Sequence, residues 1–185
     1  MIVRMAKDRN FFPTTFTPGE AGIITGLSPS AQQNMRRRNY LLPGPAGAWS
    51  RFDLPATAGM QIYGKASALR IPPKTAKKIL ANAKNAAIFI LGHAQECEGA
   101  IHNPNNLTMR PKRPINFGPT TLYRFMISYG TDTDAEVSFQ NDIGEFYSKN
   151  WKVDLSAAIV FDLARLAEQL CARAGRPLWT ALEVK

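Results

Sequence analysis

Two helix-start signals stand close together in this chain, at Thr17-Pro18-Gly19-Glu20 and at Ser28-Pro29, with Thr25-Gly26 between them. A Ser or Thr cap followed by Pro at the first helical position satisfies the free amides that open a helix, and Glu three residues after the cap completes a capping box. Gly26 then ends the first helix, because glycine takes the left-handed conformation at a helix end without steric cost. Only two short helices fit, the second running through Met35 to Arg38, and the turn between them spans three or four residues. Such a turn lets the helices cross steeply. Leu27, Ala31 and Met35 would face the first helix, leaving Ser30, Gln33, Asn34 and Arg37 pointing outward.

Charge says what that outward face could meet. Of the 23 Lys and Arg and 14 Asp and Glu in the 185 residues, positions 1–80 hold 12 basic and 3 acidic side chains, so the first 80 residues carry the whole net charge of +9. A cationic N-terminal region suggests a polyanion as partner, with double-stranded DNA the first candidate. Gln and Asn can pair bidentately with adenine and Arg with guanine, while Ser offers a small donor or acceptor. The helix start at Ser28 to Ser30, with free amides at the positive end of a helix dipole, suits a phosphate.

Elsewhere the periodicity divides the chain. Asp53 caps a third helix carrying Leu54, Ala58, Ile62 and Ala66, and Pro72-Pro73 opens a fourth that is predicted to continue to Leu91. Residues 101–114, rich in Pro and Asn, read as a linker. Beyond it, Leu122 to Tyr129 and Ala135 to Gln140 have strand periodicity around a turn and predict a hairpin. From Asp154, Leu155, Ile159, Leu163, Leu166 and Leu170 form a helical stripe, which would face a core or form a dimer seam, and Gly175 is the expected cap. Leu178 to Val184 could be a last strand. The predicted fold class is α+β: an all-α winged helix-turn-helix domain with extra helices at 10–100, then an α+β domain at 115–185 for self-association or partner contact.

The stretch Phe16 to Phe52, FTPGEAGIITGLSPSAQQNMRRRNYLLPGPAGAWSRF, resembles the N-terminal DNA-binding domain of MerR-type transcription regulators. Shared features are the Phe-Thr start, the Glu-Ala first helix, the Thr-Gly-Leu-Ser turn, an arginine-rich second-helix end and a wing ending in Arg-Phe. The resemblance extends to about Ala66, a third of the chain. It implies a first helix from Thr17 to Ile24, a recognition helix from Ser28 to Arg38, a wing at Trp49-Ser50-Arg51-Phe52 and a phosphate held by Arg51. Gln33-Asn34-Met35 stands where the family usually has Arg-Tyr-Tyr, so its base contacts do not transfer. Neither a metal-sensing Cys cluster nor a dimerisation heptad follows.

These readings make the chain a sequence-specific transcription regulator, expected as a homodimer in the cytoplasm, with no membrane contact. Thr17, Ser28, Ser30, Gln33, Asn34, Arg36, Arg37, Arg38, Arg51 and Lys65 are the candidate DNA-binding residues, some for base edges and the rest for phosphates. Two alternatives stay open: an excisionase-type architectural protein that bends DNA, and a protein-interaction module such as an antitoxin or phage-encoded inhibitor. No catalytic residue, metal or cofactor is expected. Gly59 to Lys65 has the spacing of a phosphate-cradling loop, but Ala66 replaces the required Ser or Thr and no strand precedes it. His93, Cys97 and His102 lack a fourth zinc ligand at suitable spacing.

Overall fold

The computed structural model describes residues 9–38, 51–71, 73–102, 121–130, 135–150 and 158–183. It is an α+β structure. In chain order the elements are β1 (Arg9–Pro13), α1 (Pro18–Thr25), α2 (Pro29–Arg37), α3 (Leu54–Ala68), α4 (Pro73–Ala81), α5 (Ala83–Ala94), β2 (Ile101–His102), β3 (Phe125–Tyr129), β4 (Glu136–Gln140), α6 (Ile143–Lys149), β5 (Ala158–Asp162), α7 (Leu163–Ala174) and β6 (Trp179–Glu183).

The N-terminal helices form where the caps predict. Thr17 Oγ1 accepts the Glu20 amide at 3.3 Å while Glu20 Oε2 accepts the Thr17 amide at 2.6 Å. Gly26 closes α1 at φ 75°, Ser28 Oγ accepts the Ala31 amide at 3.3 Å, and Asp53 Oδ1 accepts the Ala56 amide at 2.7 Å. The expected fourth helix is instead two. The chain breaks at Asn82, whose side-chain amide donates to the Lys78 carbonyl at 3.0 Å and so competes with the helical ladder.

The C-terminal stripe also divides, into a strand and a helix. Ala158–Asp162, predicted helical, is β5, since its β-branched and aromatic residues pair with β3, Phe161 opposite Met126. The helix starts only at Leu163, capped by Asp162, and ends at Gly175 at φ 64°. Leu155 and the 103–114 part of the linker lie outside the described residues. Leu163, Leu166 and Leu170 are buried, with α7 lying against α5, so this part of the stripe faces a core.

Two small sheets complete the fold. In the first, β6 lies between β1, antiparallel to it, and β2, parallel to it, so the two ends of the described chain share a sheet. In the second, β3 is flanked by β4 and β5, both antiparallel. One continuous apolar core takes in Ile24 and Met35, Ile62 of α3, Ile90 of α5, Leu166 of α7 and Trp179 of β6. Segments on both sides of the expected linker therefore share that core. Among the described residues no helix is long and apolar enough to cross a membrane.

Candidate nucleic-acid interface

Helix α2 is held by one side only. Met35 and Gln32 are buried, and Gln32 Nε2 donates to the carbonyls of Pro18 and Leu27, each at 3.0 Å, tying the helix to both ends of α1. Leu27 is buried and Ala31 partly so. The turn is braced as well: Thr25 Oγ1 donates to the Ala21 carbonyl at 2.6 Å and accepts the Leu27 amide at 3.3 Å. Helix α3 crosses so near that a Cβ at Gly64 would run into the Thr25 carbonyl oxygen. That accounts for Gly64 as a close-packing residue.

The opposite side of α2 is open. Ser28, Ser30, Gln33, Asn34, Arg37 and Arg38 are all exposed. The hydroxyls of Ser28 and Ser30 lie 2.9 Å apart, so this pair is already hydrogen-bonded at the helix start. Among the described residues no carboxylate forms an ion pair with Arg37 or Arg38.

The other candidates have internal duties. Arg36 lays its guanidinium 4.0 Å from the centre of the Phe52 ring and reaches the Arg51 carbonyl at 3.5 Å. Arg51 donates from Nε to Thr15 Oγ1 at 2.6 Å and from Nη2 to the Thr15 carbonyl at 2.9 Å. Together with the paired amides and carbonyls of Phe16 and Phe52, at 2.6 and 2.8 Å, these contacts fasten the end of the expected wing to the segment between β1 and α1. Trp49 and Ser50 of that wing lie outside the described residues. Thr17 spends its hydroxyl on the capping box, and Lys65 sits half-buried on α3.

Three residues that the sequence signals did not mark position this face. Arg173 Nη1 donates to the Ile24 carbonyl at 3.0 Å, satisfying the C-terminal end of α1. Arg176 pairs with Glu20 at 2.8 Å, donates to the Thr15 carbonyl at 3.1 Å and stands 5.3 Å from the centre of the Phe16 ring. Thr15 is thus the shared acceptor of Arg51 and Arg176. Hydrogen bonds from Thr17, the backbone amide foremost, hold the Glu20 carboxyl below the usual glutamate range, and the charges of Arg176 and Arg51 add to this. Only the Arg-rich composition around α7 hinted at these contacts, because their partners lie about 150 positions away in sequence.

Away from this face, His93 and Cys97 of the zinc spacing have backbone carbonyl partners. His93 Nε2 lies 3.1 Å from the Tyr123 carbonyl, and Cys97 Sγ 3.9 Å from the His93 carbonyl. The chain matches no protein-family model, and no curated protein is significantly similar to it.

Proposed function

We propose that the chain is a sequence-reading double-stranded DNA-binding protein, a transcription regulator in which α1, the Gly26 turn and α2 act as a helix-turn-helix. The observation that carries this is the one-sided burial of α2. Gln32 and Met35 fix the helix, and Ser30, Gln33, Asn34 and Arg37 face solvent with no acidic partner among the described residues. A helix braced on one side and polar on the other can lie in a major groove without giving up its own packing.

The division of labour follows from which donors remain. Gln33, Asn34 and Arg37 read base edges, and Ser28 and Ser30 at the helix start meet a phosphate. Arg38 and Arg51 flank the helix and hold the backbone, with Arg51 pre-oriented by Thr15. Arg36 acts indirectly by clasping Phe52, the last residue of the expected wing. A homodimer would double the contacts, and its seam must be a surface other than Leu163, Leu166 and Leu170, which the core consumes.

Fluorescence anisotropy of the full chain with labelled duplexes, repeated across salt concentrations, tests this. Binding should weaken steeply as salt rises, with log affinity falling linearly against log salt. A flat salt dependence, or no duplex binding at low salt, would reject the proposal.

A further inference from the structure

A cleft of about 280 Å³ opens where the end of α2, the end of α3 and helix α4 meet. Arg38, Arg70 and Lys77 line it, and no carboxylate appears among its described lining residues. Its remaining wall is largely apolar, from Tyr63, Ile71 and Leu80. Three cationic residues lining one concavity, with no counter-charge among its described lining residues, repel one another, and a bound anion relieves that repulsion.

The backbone at Arg70 adds an independent observation. Helix α3 ends in a wrap in which the Ile71 amide donates to the Ala66 carbonyl at 3.3 Å and the Arg70 amide to the Ser67 carbonyl at 3.1 Å. That geometry puts Arg70 at φ 52°, whereas glycines fill the left-handed positions closing α1 and α7. Arginine is a poor choice there on conformational grounds. Its side chain lines the cleft, which gives the position a reason to carry one.

We propose that this cleft binds a small phosphorylated organic molecule. Arg38, Arg70 and Lys77 take the phosphate, and Tyr63, Ile71 and Leu80 cover the organic part. A duplex backbone offers the same phosphate chemistry but makes no use of a concave apolar wall, and the volume suits a single small ligand. The site goes beyond the DNA-binding proposal, with which it shares Arg38, and its test through Arg70 and Lys77 does not rely on duplex binding.

The test titrates the full-length chain with adenosine 5′-monophosphate, with inorganic phosphate and, separately, with a short duplex, following backbone amide resonances of residues 66–71 and 76–80. Saturable shifts with the monophosphate are expected, tighter than with inorganic phosphate. Arg70→Gly and Lys77→Ala should each weaken monophosphate binding by about tenfold or more, since each removes a charge-assisted contact. Arg70→Gly should at the same time melt at or above the temperature of the unaltered protein, because it relieves the left-handed arginine. Lys77→Ala, on an exposed helix position, checks the same loss without touching that backbone. No saturation by about 10 mM monophosphate, affinity unchanged in both variants, or shifts produced by the duplex alone would overturn the proposal.

Discussion

Arg37 and Arg38 at the end of α2 and Arg173 and Arg176 at the end of α7 are the same residue in the same kind of position, and they do opposite work. Near the end of α7, Arg173 caps α1 through the Ile24 carbonyl and Arg176 is shared among Glu20, Thr15 and Phe16. At the end of α2, Arg37 and Arg38 are exposed and form no ion pair with any described residue. What separates the two groups is the acceptors around them. An arginine beside an orphan helix carbonyl and a carboxylate becomes a clamp, whereas one on an acceptor-poor surface remains available for an external anion. The C-terminal clamps also brace the helix pair whose outer side carries the available group.

The difference predicts mirrored phenotypes. The largest effect is expected from Arg37→Ala, which should reduce duplex affinity by about 10- to 100-fold, as loss of one good base contact does, while stability stays within about 0.5 kcal/mol. Anisotropy and thermal melting on the same preparation check both halves. Arg176→Ala should do the reverse. It should lower stability by about 1 kcal/mol, a Tm shift of roughly 2–4 °C in a chain of this size, and affect duplex binding only through the looser seat of α1. An unchanged melting temperature for Arg176→Ala, together with a full loss of binding, would erase the distinction between clamp and contact.

A smaller effect sharpens the clamp side of the comparison. Glu20 has a lowered carboxyl pKa in the folded protein. Its contribution to stability is therefore fully present above the unfolded glutamate value of about 4.3, and is lost as pH falls through the lower folded value. Glu20→Gln keeps the capping-box geometry but removes the charge. Melting temperatures of the variant and the unaltered protein should converge as pH falls from about 5 to 3 and differ modestly at neutral pH. A constant difference across that range would show that the Glu20 charge contributes nothing.

Legibility in the sequence followed the range of the forces involved. Thr17, Gly26, Ser28 and Asp53 act on amides and carbonyls within four residues, so their caps could be read directly from neighbouring residue types. Strand β1 has no such local mark, because its pairing with β6 joins Phe11 to Ala181 and nothing nearby in sequence announces that partner. Helix α6 carries a readable signal, Asp142 accepting the Glu145 amide at 2.7 Å, but an Asp in such a position suits a turn as well as a helix cap. Ala158 to Asp162 satisfies helical spacing on paper, and tertiary pairing with β3 overrides it. Within the candidate site, the outward set Ser30, Gln33, Asn34 and Arg37 was legible from the 3.6-residue repeat alone. The engagement of Arg36 by Phe52 and of Arg51 by Thr15 was not, because it depends on where the chain returns after residue 50.

The most direct measurement is selection from a randomised duplex pool, run in parallel with the unaltered chain and with Gln33→Ala and Asn34→Ala. If α2 reads base edges, the unaltered chain enriches a defined motif. Each variant should then lose discrimination at one base step, by about 1–3 kcal/mol, while keeping its salt dependence. Recovery of the same motif by all three proteins, or of no motif by any, would contradict a duplex-reading role for the exposed side of α2.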